Sequence, residues 1–95
     1  MGGSTVDLTS LVKNGAKIID VRTRPEFKSG HVKGSVNIPL DTIASKSSTL
    51  KKDDVLILCC RSGTRSGNAV RILKSQGFNN VHNGGSWYNL KNISK

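Results

Sequence analysis

The most constraining stretch of this chain is Val55 to Cys59, where five residues succeed one another with no polar interruption. A strand with one wet face alternates apolar and polar residues. An unbroken run this short therefore belongs to a strand covered on both faces, which requires helices on both sides of a parallel sheet. The next residues fit that demand: Cys60 to Ser66 form a turn, and Ser66 to Gln76 repeat apolar residues at helical spacing until Gly77 stops them. A buried strand turning straight into an amphipathic helix is the unit from which α/β folds are assembled.

The rest of the chain supplies neighbours for that unit. Leu8, Leu11 and Val12 lie at helical spacing within Asp7 to Asn14, and Asn14-Gly15 ends that helix. Lys17 to Val21 is a β-branched run, followed by Arg22 to Gly30 with Pro25 placed for a helix start and Gly30 for its end. Val36 to Ile38 is a short strand closed by Pro39, Asp41 to Ala44 a helical turn, and the polar Ser45 to Lys52 a surface connection. Asn80 to His82 gives a last strand, Gly84-Gly85 a turn, and Ser86 to Asn92 a final helix carrying Trp87 and Leu90. Strand and helix alternate throughout, and 95 residues suffice for one domain, with its core expected over residues 6–92.

The turn after the central strand carries the chemistry. Ligands of open α/β sheets bind outside the carboxyl ends of the strands. A loop wrapping there onto a helix N-terminus points several backbone N–H groups inward, and with the helix dipole they form a nest for an anion. Gly63 lets the chain curl, and Arg61 and Arg65 stand close in sequence to Cys60. A thiol so placed is expected to lose its proton more readily than a free cysteine, so Cys60 is read as a nucleophile. The alternative, an ordinary buried cysteine beside solvated arginines, leaves unexplained why thiol, glycine, two arginines and hydroxyl residues share seven positions.

Charge and cysteine usage narrow the classes. The net charge of +9 attracts anions of every kind, but its basic residues are dispersed and no aromatic platform accompanies them, so nucleic acid is not expected as a partner. Two adjacent cysteines can neither close the usual loop nor furnish a structural zinc site, and neither metal nor cofactor is called for. No stretch approaches a membrane span, and Met1 to Thr5 lack the apolar core of a signal peptide. The chain is expected to be soluble, with cytoplasm and, after loss of a leader, periplasm both open.

The sequence resembles the rhodanese family through Asp20-Val21-Arg22, Glu26-Phe27, the segment Gly30 to Pro39, the loop Cys60 to Ser66, and Gly84-Gly85 with Trp87. The resemblance implies a central parallel sheet of four or five short strands with helices on both faces. It also implies a sulfurtransferase whose cysteine, matching Cys60, takes a sulfane sulfur from an anionic donor such as thiosulfate or polysulfide and passes it to cyanide or a thiol. Arg61, Ser62, Gly63, Thr64, Arg65 and Ser66 would then bind substrate. The pattern departs at Ser62, where two-domain thiosulfate enzymes carry lysine, and near Glu26, where they place an arginine; Arg65 is the cation left to compensate.

The remaining candidates are read as supporting residues. Asp20, Arg22 and Glu26 form a polar set that fixes loops near the site, His31 shapes the fold, Trp87 packs in the core or at the rim, and Cys59 packs within its strand. Three rival functions compete with this reading: a sulfur-carrier or non-catalytic binding module, a phosphatase, and an arsenate reductase of the related fold. The phosphate cradle takes one residue more between cysteine and arginine than the four separating Cys60 from Arg65. An acidic sulfur-accepting protein is a further partner compatible with the charge.

Overall fold

The computed structural model describes residues 7–93; the opening residues and Val6, where the expected core begins, lie outside the described residues. Helix α1 (Leu8–Lys13) is capped by Asp7, whose side chain accepts from the Ser10 amide. Strand β1 (Lys17–Asp20) comes next, then α2 (Arg24–Ser29), β2 (Val36–Asn37) and α3 (Leu40–Lys46). After β3 (Leu56–Cys60) come α4 (Thr64–Ser75), β4 (Val81–Ser86) and α5 (Trp87–Leu90). The sheet is fully parallel, in the order β2-β1-β3-β4. The chain leaves β1 toward one edge and β3 toward the other. Their carboxyl ends are thus neighbours where the strand order reverses, the place at which α/β sheets leave a crevice.

Alternation along the strands builds two cores. Ile19, Val21, Leu56, Leu58 and Cys60 face Ile43 of α3 and Ala69 and Leu73 of α4, whereas Ile18, Ile57 and Cys59 face Val32, Leu90 and the apolar side of α1. All five residues of β3 are buried, as a strand covered on both faces must be, but the strand lies one residue later than the Val55–Cys59 run: Val55 is half-buried ahead of it and Cys60 is its last residue. Adjacent side chains on a strand point to opposite faces, so Cys59 and Cys60 enter different cores.

Several expectations shift. Gly84-Gly85 is not a turn: β4 runs through both glycines. A Cβ on Gly84 would stand 2.7 Å from Ile57 Cγ2 and 3.0 Å from Leu90 Cδ1, so the glycine permits close packing rather than chain reversal. Gly85, at φ +77°, lies where the β3–β4 register slips between Leu58 and Cys59. Helix α4 begins at Thr64 rather than Ser66, because Gly63, at φ +103°, serves as N-cap without a side chain. The 45–52 stretch is more ordered than a plain connection: α3 reaches Lys46, a 3₁₀ turn spans Ser47–Thr49, and Ser47 is buried with its hydroxyl on the Ala44 carbonyl. Ser86 caps the last helix rather than starting it, and that helix stops at Leu90.

Candidate active site

Cys60 is the last residue of β3, and pairing sets it beside Ser86 of β4 while Cys59 lies beside Asp20 of β1. The chain leaves β3 through exposed Arg61 and Ser62, curls at Gly63 and enters α4. The curl folds the loop back over the sulfur: the Gly63 amide donates to Cys60 Sγ at 3.0 Å, and the Ser66 hydroxyl lies 3.5 Å from it. Burial by itself pushes this thiol up. Hydrogen bonds from the Ser66 hydroxyl and from the amides of Ser66, Gly63 and Ser62 outweigh that and bring it down to about 7. These loop donors lead among the causes that lower the thiol, ahead of either arginine. Cys59 has the opposite environment. Burial first, and then the Asp20 charge, push it up to about 12, the behaviour of a packed thiol.

The arginine expected to compensate the missing cations is already engaged. Arg65 Nη1 and Nη2 meet the two Glu26 oxygens at 2.8 and 3.0 Å, a forked pair joining α4 to α2. Hydrogen bonds from Arg65, then from the Thr23 amide, hold the Glu26 carboxyl down at about 2, so the pair stays charged at neutral pH and contributes no net charge. Among the loop residues this leaves Arg61 exposed, beside a small pocket that it lines with Arg22, Glu26, Ser29 and Trp87.

Asp20 and Arg22 are both buried and locked together, with Arg22 Nη2 2.7 Å from Asp20 Oδ2 and also donating to the Gly30 carbonyl at 2.7 Å. The guanidinium lies 4.4 Å from the centroid of the Trp87 ring, and that ring fills the space a side chain on Gly30 would need. Asp20, Arg22, Gly30 and Trp87 are thus one packed unit under the loops at the carboxyl end of the sheet. His31 is exposed, stacked on Phe27 at 3.8 Å, with Nδ1 2.8 Å from the Phe27 carbonyl; these contacts finish α2.

Asn83 is the residue that reading the sequence missed. From β4 its Nδ2 donates to the Gly63 carbonyl at 3.0 Å, and its Oδ1 accepts from the Gly85 amide at 2.9 Å and the Ser66 hydroxyl at 2.6 Å. An asparagine inside a strand and next to two glycines is out of place by propensity, and that was the available signal. Among the described residues no group of three or more His, Cys, Asp or Glu could hold a metal ion, and no helix is long and apolar enough to cross a membrane.

The pattern of the rhodanese-like domain matches residues 4–91. The thiosulfate sulfurtransferase PspE of Escherichia coli is 36% identical over 78 residues, covering 80% of this chain and 72% of that protein. The putative sulfur carrier protein YrkF of Bacillus subtilis is 39% identical over 66 residues, 70% of this chain. The chain spans 36% of the length of YrkF and 54% of a second Bacillus subtilis relative, the uncharacterized protein YqhL. In three dimensions the human single-domain sulfurtransferase TSTD1 superposes with a TM-score of 0.79 at 28% identity, over 93% of this chain and 94% of that one. A four-stranded parallel sheet with flanking helices, a cysteine loop at its switch point and these relatives together establish that the chain belongs to the rhodanese-like domain family.

Proposed function

We propose that the chain is a sulfurtransferase that carries a sulfane sulfur as a persulfide on Cys60. The observation that carries this reading is a cysteine sulfur ringed by amide and hydroxyl donors, with its acidity brought to about 7, at the carboxyl end of the sheet. Near neutral pH about half of such thiols are thiolate, the form that attacks sulfur. The thiolate attacks the outer sulfur of a donor such as thiosulfate or polysulfide, a new S–S bond forms, and the remainder of the donor leaves with the electron pair of its broken bond. Cyanide or a thiol then removes the sulfur, so loading and discharge alternate in ping-pong order. Arg61 is the exposed cation of the loop available to draw in an anionic donor, whereas Arg65 holds the loop's helix to α2.

The name of one relative, a putative sulfur carrier protein, favours a second use of the same persulfide: delivery to a protein acceptor rather than to a small molecule. Both uses require loading at Cys60. Intact mass after brief incubation with thiosulfate or polysulfide tests this, with a gain of one sulfur, about 32 Da, expected in the native protein and in Cys59→Ser. Cys60→Ser should gain nothing, and cyanide should discharge the adduct. Failure of the native protein to retain sulfur from either donor would overturn the reading.

A further inference from the structure

The hydroxyl of Ser66 has one proton and two claimants. Asn83 has one possible orientation, because its three partners fix it: the Gly85 amide can only donate and the Gly63 carbonyl can only accept, so Oδ1 faces Gly85 and Ser66. Oδ1 is therefore an acceptor for Ser66 at 2.6 Å, while Cys60 Sγ lies 3.5 Å from the same hydroxyl. Ser66 is fully buried, so no bulk water supplies a further proton at this point. A neutral thiol removes the conflict by donating its own S–H to Ser66. A thiolate does not, since both neighbours of Ser66 then accept and one must go without.

We infer that Asn83 is a positioning residue that holds the Ser66 proton while Cys60 carries sulfur and releases it to Sγ as the sulfur leaves. This rests on the sulfurtransferase reading above. In the persulfide the negative charge sits on the terminal sulfur, and Sγ, bonded on both sides, is a weak acceptor like a thioether. The Ser66 proton then belongs to Asn83. When cyanide or an acceptor thiolate attacks the terminal sulfur, a bond forms from the acceptor to that sulfur and the S–S bond breaks. The electron pair of the broken bond stays on Sγ, which becomes a thiolate. Rotation of one hydroxyl about its C–O bond delivers a hydrogen bond to that leaving group with no change in the backbone.

The test is the pH profile of Cys60 alkylation by iodoacetamide in the native protein, Asn83→Ala, Ser66→Ala and the double variant. The charged groups around the site, Asp20 at the end of β1 with Arg22 just after it, Glu26 on α2, Arg61 in the loop and Arg65 on α4, are common to all four and cancel in the comparison. Removing Asn83 leaves Sγ as the sole claimant, so the profile should move to lower pH by about half a unit, threefold in thiolate on its acid side. With Ser66 already removed, no such fall should occur. A change that is the same with and without Ser66, or no fall at all, overturns the proposal. Should Asn83→Ala fail to fold, Asn83→Asp keeps the size and strengthens the acceptor, and the hydrogen bond to the Gly63 carbonyl that it gives up is lost equally with Ser66 and with Ala at position 66: its upward shift should be larger with Ser66, and equal shifts overturn the proposal. Discharge of the loaded protein by cyanide should slow about tenfold in Ser66→Ala, and discharge at the native rate likewise overturns it. Absence of persulfide even in the native protein sinks the sulfurtransferase reading instead, while the alkylation profiles still decide whether Asn83 controls Ser66.

Discussion

Cys59 and Cys60 are one peptide bond apart, yet their environments set their thiols at about 12 and about 7. Thiolate therefore accumulates at Cys60 as pH rises through about 7, while Cys59 stays protonated across the working range. Iodoacetamide at pH 8 should add once, at Cys60, with a half-maximal rate near pH 7; a second adduct formed at a similar rate would contradict the two environments. The Asp20–Arg22 pair is the other place where one side chain decides much. Asp20→Asn leaves the buried Arg22 guanidinium facing a neutral amide, and the loss expected for a broken buried pair is about 3 kcal/mol, read from urea denaturation. The lost stability should come without loss of the Cys60 alkylation midpoint, because Asp20 pairs with β3 on the Cys59 side.

Among the elements, β4 packs against β3 with no room to spare. Gly84→Ala drives a methyl group against Ile57 and the Leu58 carbonyl, both in β3, and should cost about 1–3 kcal/mol by overpacking, measured as a fall in denaturation midpoint. Glu26 joins α2 to α4, and its folded acidity, about 2, lies below the unfolded value of roughly 4.3. Its stabilisation is therefore complete above the unfolded value and is lost as pH falls from there toward about 2. The pair is partly exposed, so the loss should be no more than about 1 kcal/mol, and Glu26→Gln should flatten the stability curve in that window. The elements also show where the sequence was readable. Strand β3 and the apolar stripe of α4 were plain because a short unbroken β-branched and apolar run followed by a helical repeat ending at glycine is a strong local signal. The start of α4 was misplaced because its cap is Gly63, which carries no hydroxyl or carboxylate to mark it. The glycines of β4 were misread because a glycine needed for close packing looks the same, in sequence, as one needed for a turn. Cys60 and its loop were legible from local composition. The pairing of Arg65 with Glu26, 39 residues away, and the reach of Asn83 into the loop depend on tertiary contacts and left only weak local traces.

Among the described residues Asp20, Glu26 and Asp54 are matched with Arg22, Arg65 and Lys17, and because each pair is neutral the net charge of +9 resides on the other residues. The rate of loading by the thiosulfate dianion should fall as sodium chloride is raised from about 20 to about 300 mM, roughly the range over which screening shortens from about 20 to 6 Å. Stopped-flow or quenched loading reads this, and a rate indifferent to salt would show that the global field does not steer the donor. The strand order bears on how the chain finds its structure. The central pairing joins residues 17–20 to residues 56–59, and so must wait for a long loop to close, whereas β3, α4 and β4 succeed one another along residues 56–86. The segment that assembles with the least loop closure is also the one that holds Cys60, Ser66 and Asn83. Substitutions there, such as Ala69→Gly, should slow folding, and substitutions in α1, such as Leu11→Ala, should mainly speed unfolding. On that order of events, the loop around Cys60 takes shape before the half of the molecule that later covers its other face.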